Sequence, residues 1–219
     1  MQMPDICACI TSIDDLPAAF AAKDKVALYE VRIDLIGEEW THALSLPRPW
    51  IACNRLHSEG GTATGPESSR LDSLRHAADM GADMVDIELA TPEVGAFVNE
   101  VCGRTKVIVS HHDTRGTPPY AELTDLVARQ RAIGASICKV VTTARNAADN
   151  ATMLQLSRRF ADVGIVAMAM GPLGMTSRVL APLAGASFTY ASLASGHESA
   201  PGQLTVDQLC AIYETMETK

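Results

Sequence analysis

The chain has 219 residues, room for one domain with a sizeable core, and a formal net charge of -8. Its 18 Lys and Arg, against 26 Asp and Glu, form no run able to track a phosphate backbone, which excludes nucleic acid as a partner and points to a small molecule. Met1 to Ile10 has neither the basic start nor the apolar length of a signal peptide, and no stretch reaches the roughly 20 apolar residues that cross a bilayer; a cytoplasmic chain with no membrane association is expected.

Apolar alternation and turn signals place strands at 6–10, 25–33, 50–54, 84–89, 106–111, 137–141, 163–169 and 187–191. Between them, Glu67 to Met80, Ala121 to Ile133, Ala147 to Phe160 and Val206 to Met216 repeat apolar residues at three- and four-residue intervals, as helices that bury one face do. A recurring Gly-Ala pair at Gly81, Gly134 and Gly185 closes a helix and opens a strand each time. Eight alternating units predict an α/β chain forming a single (β/α)8 TIM barrel over residues 1–219. A doubly wound open sheet is the competing architecture, disfavoured because no G-x-G-x-x-G follows the first strand. Six cysteines are scattered without a C-x-x-C pair, so they read as buried small residues, and neither a metal site nor a cofactor is expected.

In a barrel, chemistry gathers where strands end, so each polar residue at such an end is a candidate. Strand two ends in Glu30-Val31-Arg32-Ile33-Asp34, and its alternation sets Glu30, Arg32 and Asp34 on one face. After strand three come Arg55, able to meet an anionic substrate, and Glu59-Gly60-Gly61, whose carboxylate could orient a histidine. Strand four contributes Asp86 and Glu88. Strand five ends in Ser110-His111-His112-Asp113; the sequence leaves open which histidine faces inward, and Asp113 is placed to stabilise either imidazolium.

Lys139 stands in the apolar strand Ile137-Cys138-Lys139-Val140-Val141, directly after the histidine strand. Burial among apolar neighbours predicts a lysine with lowered pKa, whose neutral amine attacks a carbonyl. Lysine and histidine on adjacent strand ends point to imine chemistry with a histidine proton shuttle. Arg178 can grip a carboxylate, and the small, polar, glycine-punctuated segment Ser195 to Gly202 suits a mobile loop over the barrel mouth.

Taken in order, Glu30-Val31-Arg32, Arg55 with Glu59-Gly60-Gly61, Ser110-His111-His112-Asp113, Lys139, Met170 to Arg178 and Ser199-Ala200-Pro201-Gly202-Gln203 resemble the type I 3-dehydroquinate dehydratases, the Schiff-base enzymes of the shikimate pathway, over nearly the whole chain. The resemblance implies 3-dehydroquinate as substrate and a hydro-lyase reaction giving 3-dehydroshikimate and water. It implies Lys139 as imine-forming residue, His112 as general base and acid, and Glu59 as its orienting group. Arg178 and Gln203 would hold the substrate carboxylate, while Glu30, Arg32, Arg55 and Ser199 would bind ring hydroxyls and close the site. A homodimer is implied in the same way. Three departures stand out: His111 replaces a usual aromatic, Leu56 replaces a small hydroxyl residue, and Val140 to Arg145 lacks the usual proline.

Two other readings start from the same residues. An aldolase-type Schiff-base barrel would share the lysine and want a phosphate site, to which Gly171 and Gly174 could contribute. A catalytically silent barrel binding a shikimate-type ligand would have no use for a buried lysine, which costs stability.

Overall fold

A computed structural model describes residues 3–217. Eight strand and helix units follow one another: β1 Ile6–Ile10, α1 Leu16–Ala21, β2 Leu28–Arg32, α2 Ile33–Ile36, β3 Trp50–Cys53, α3 Glu67–Asp79, β4 Met84–Glu88 and α4 Val94–Val101. The second half continues with β5 Lys106–His112, α5 Tyr120–Ala132, β6 Ile137–Thr143, α6 Ala148–Arg159, β7 Ile165–Met170, α7 Met175–Leu180 and β8 Thr189–Ser192. A two-residue strand, β9 Leu204–Thr205, precedes α8 Val206–Glu217.

All pairings are parallel, in the order β7-β6-β5-β4-β3-β2-β1-β8-β9. The sheet curls into the expected (β/α)8 barrel, with its seam between β7 and β8. At the lower end of that seam the Ser187 N–H donates to Ile165 O at 2.7 Å. At its upper end Gly171 N–H donates to Pro201 O at 2.9 Å, and β9 lies along β8. Residues 201–205 therefore fill the wall where β7 and β8 splay apart.

Predicted and observed elements differ at their ends, for local reasons. Strand two begins at Leu28 rather than residue 25 because Lys25 N–H closes a turn on Ala22 O at 2.8 Å. It stops at Arg32, where Ile33 opens a helical turn. Strand seven begins at Ile165 because Gly164 takes a positive φ of 67°. The long helices bury the residues their spacing predicts: Leu74, Ala77 and Ala78 on α3, Leu123 and Val127 on α5, Met153 and Leu156 on α6.

Strand alternation divides the core into two layers. One set of side chains packs between sheet and helices, including Val85, Ile87, Val107 and Val109. The other faces the barrel interior, where Leu28, Ile51, Met84, Ile108, Val166 and Phe188 form an apolar floor at the strands' amino-terminal ends. Continuing up those strands by twos replaces them with Glu30, Cys53, Asp86, Ser110 and Tyr190, all buried. The charged layer on an apolar floor defines the site.

Candidate active site

A cavity of about 330 Å³ opens at the carboxyl ends of the strands. Its walls include Glu30, Arg32, Arg55, Glu59, His112, Lys139, Arg178, Ser199 and Gln203, the nine residues to which the family resemblance gives a role, while Asp34, Asp86, Glu88, His111 and Asp113 do not line it.

Lys139 is 4 % exposed, and its surroundings are not the apolar ones its strand suggested. Nζ lies 2.8 Å from Asp86 Oδ2, 3.3 Å from Glu30 Oε1 and 4.4 Å from the centroid of the Tyr190 ring. Burial opposes the charge, but Asp86 and then Glu30 outweigh it, and the pKa is raised above the ordinary lysine value. The expected neutral amine is thereby corrected: at rest this lysine is an ammonium held by two carboxylates and a ring face. Strand alternation could not reveal this, because the partners lie 53 and 109 residues away in sequence.

Asp86 belongs to a wider buried network. Arg55 Nη2 donates to Asp86 Oδ2 at 2.7 Å, and Arg55 Nη1 donates to Glu88 Oε1 at 3.0 Å and Ser110 Oγ at 2.6 Å. Arg55 and then Lys139 overcome burial and hold the Asp86 carboxyl well below the usual range. Arg70 on α3 continues the chain, donating to Glu88 Oε2 at 2.7 Å and Thr91 Oγ1 at 2.8 Å. Neither Arg70 nor Ser110 was assigned a role from sequence, and Arg70 lies on a helix with nothing in its spacing to mark it. Glu30, Cys53 and Asp86 also offer atoms close enough to share a metal ion. Lys139 and Arg55 already match the charge of those carboxylates, so the donor set fits an ammonium better than a cation added from solution.

The two histidines separate by alternation. His112 shares the inward face with Ser110, whereas the His111 side chain is 30 % exposed and lies 3.9 Å from Glu59 Oε1. Glu59 Oε2 accepts from the His112 backbone N–H at 2.9 Å and sits 2.9 Å from its Nδ1. Burial pushes the Glu59 carboxyl up to about 7, against Arg55, and pushes His112 well down, aided by Arg55, Lys139 and Arg32. His112 is accordingly neutral. With Glu59 ionised, Nδ1 carries the proton and Nε2 is left as the base. Asp113, expected to stabilise an imidazolium, turns into the next loop, where Oδ1 accepts from Arg115 N–H at 2.8 Å, and its charge favours the imidazolium of His111 against the burial that opposes it.

Asp34 lies beyond the strand, and its carboxylate takes both the Nε and Nη2 donors of Arg32, at 2.9 and 2.7 Å. Across the cavity, Arg178 is buried, and among the described residues no carboxylate pairs with it. Its Nη1 approaches Met168 Sδ and its Nη2 Pro201 O, each at 3.5 Å, and its Nε has no partner among the described residues. Burial lowers its pKa to about 10. Gln203 reaches beside it, with Oε1 accepting from Ser199 N–H at 2.7 Å and Nε2 donating to Cys9 Sγ at 3.3 Å. The amides of Gly171 and Gly174 are already donated to Pro201 O and Gly171 O, each at 2.9 Å, so they form no phosphate cradle.

A family model described as type I 3-dehydroquinase matches residues 6–219. A protein of Dehalococcoides mccartyi named 3-dehydroquinate dehydratase is 42 % identical over 219 residues, covering 99 % of this chain and 97 % of that protein. The structure of 3-dehydroquinate dehydratase from Geobacillus kaustophilus superposes with a TM-score of 0.84 at 26 % identity, covering 99 % and 92 % of the two chains. A type I 3-dehydroquinate dehydratase structure from Clostridium difficile, 23 % identical, gives a TM-score of 0.86 over 99 % and 93 %, which supports the fold.

Proposed function

The chain belongs to the type I 3-dehydroquinase family, and from that premise we propose that it dehydrates 3-dehydroquinate through an imine on Lys139, with His112 as the proton carrier. The observation that carries this reading is the placement of Lys139 and His112 on adjacent strands, β6 and β5, lining one cavity.

The ammonium at rest and the protonated imine bear the same charge at the same atom. Asp86, Glu30 and the Tyr190 ring therefore serve both states. Lys139 passes one proton to His112, its amine attacks the ketone carbon, and the carbinolamine oxygen collects one proton from the nitrogen and the other back from His112. The carbinolamine oxygen leaves as water, and the positive charge returns to Nζ. That charge draws electrons from the adjacent C–H bond, so the neutral imidazole of His112 can remove the proton. The resulting enamine expels the β-hydroxyl, which takes the proton from His112 and leaves as water. Hydrolysis of the conjugated iminium consumes one water and frees 3-dehydroshikimate and Lys139. Two waters leave and one enters, so the net loss is one.

The other residues position the ring. Arg178 and Gln203 hold the substrate carboxylate; Glu30, Arg32, Arg55 and Ser199 face its hydroxyls. Glu59 keeps Nδ1 of His112 protonated and Nε2 turned to the reacting carbon.

The test pairs two measurements on the native chain, Lys139→Ala and His112→Ala. Mixed with 3-dehydroquinate, the native protein should show a rise in conjugated-enone absorbance that both variants lose. Sodium borohydride should trap ligand on the native lysine and on His112→Ala, and never on Lys139→Ala. Turnover without a trappable adduct would overturn the imine route.

A further inference from the structure

The loop from Leu193 to Gln203 crosses the cavity mouth and is held unequally at its two ends. Its later part is built into the wall. Pro201 O accepts from Gly171 N–H, Gln203 bonds Cys9 Sγ and Ser199 N–H, and Leu204 pairs with Ala191. Its earlier part, Ala194 to Glu198, is exposed and bonds largely to itself: His197 N–H donates to Ala194 O at 3.2 Å, and Gly196 N–H to the Glu198 carboxylate at 3.0 Å. Among the described residues, the hydrogen bond from this stretch that reaches another part of the fold is His197 Nδ1 to Asp15 Oδ1, at 2.7 Å.

Asp15 is made to receive it. It lies just past β1, the strand next to β8, and is 2 % exposed. Its other oxygen, Oδ2, accepts from Thr11 N–H at 2.8 Å, Thr11 Oγ1 at 3.0 Å and Ser12 N–H at 3.0 Å. These three bonds fix the carboxylate and leave Oδ1 aimed at the loop. A buried carboxylate whose last acceptor is filled by a half-exposed histidine is a firm anchor with a releasable partner.

We propose that His197 and Asp15 form the clasp that holds this loop closed, making His197 a positioning residue for Ser199 and the cavity mouth. The proposal rests on the reading of the cavity as the dehydratase site. Opening the clasp loosens residues 194–198, up to the Ser199 that Gln203 holds, and leaves residues 201–205 in place, so substrate is held less well while Lys139 and His112 stay where they are.

Steady-state kinetics with 3-dehydroquinate on His197→Ala, His197→Asn, Asp15→Asn and the His197→Ala/Asp15→Asn double variant test this. His197→Ala should raise KM about three- to tenfold, the range of one half-exposed charge-assisted hydrogen bond, with kcat within about twofold of native. Backbone hydrogen exchange over 194–198 should rise and exchange in β1 and β8 should not. His197→Asn, whose amide donor can stand where Nδ1 stood, should recover most of the KM. The double variant should be no worse than the more impaired single variant, as coupled partners require. Unchanged KM and exchange in His197→Ala, or additive effects in the double variant, would overturn the clasp. Borohydride trapping on the same samples separates the premises: an adduct in every variant keeps the site reading even if the clasp fails, whereas no adduct on the native chain removes the site reading itself.

Discussion

Glu59 illustrates how one side chain is given a pH-dependent task. Buried, and flanked by Glu88 and Asp86, its carboxyl is pushed from 4.5 up to about 7. Only its ionised form is an unambiguous acceptor for Nδ1 of His112, which fixes the tautomer with Nε2 as base. The acid limb of kcat/KM should therefore fall at about 7, and in Glu59→Gln that limb should vanish at a lower plateau. A limb unchanged in the variant would assign the titration elsewhere. The same shift has a stability consequence of definite sign. Because the folded-state value lies above the unfolded one, the folded chain binds more protons between them, so stability falls as pH rises from 4.5 to about 7 and is level above. Glu59→Gln cannot ionise, and urea denaturation at pH 8 should find it more stable than native by up to about 3 kcal/mol.

At the scale of elements, α3 is tied to the site through Arg70. Its guanidinium forks between Glu67 on its own helix, at 2.6 Å, and Glu88 at the end of β4, at 2.7 Å, and a third bond reaches Asn54 O at 2.9 Å. Glu88 is wholly buried, so removing the arginine strands part of a carboxylate in the core. Arg70→Ala should cost about 3 kcal/mol, read as a lowered urea midpoint at unchanged slope, and Arg70→Lys should recover only part because it lacks the fork. A loss below about 0.5 kcal/mol would mean that Arg55 and the Leu56 N–H satisfy Glu88 without it.

This network also marks the boundary of what the sequence discloses. Strands and long helices were legible because period-two and three-to-four patterns are local, and the polar interruptions at Glu30, Asp86, Ser110, His112 and Lys139 stand out against them. Which charges meet is a matter of register across strands. Ser110 faces Lys139, and Cys53 faces Asp86, through pairings no local pattern carries. The charged state of Lys139 was hidden for that reason. So was the choice between His111 and His112, which depends on where the alternation of β5 starts. The short strand β9 gives too few residues for any period to appear.

At the scale of the whole molecule, the barrel closes with a part of its active site. A (β/α)8 sheet needs β7 against β8, and here Ser187 joins them below while residues 201–205 complete the wall above. The fit at that seam is tight. Gly202 has a φ of 77°, and a Cβ there would collide with the Gly171 carbonyl oxygen. Gly202→Ala must move one backbone segment away from the other, breaking the bond from Gly171 N–H to Pro201 O and shifting Gln203 from Arg178. Left-handed strain on alanine costs about 1 to 2 kcal/mol, which in a chain of this length lowers Tm by about 5 °C. The catalytic loss should be much larger, at least about tenfold in kcat/KM, carried mainly by KM because the carboxylate-binding side is what moves. The lower seam and the apolar floor lie at the other end of the strands and keep the rest of the barrel closed. A fall in Tm of the size expected for an emptied core, with activity lost in proportion, would instead make residues 201–205 a structural stave on which the whole ring depends.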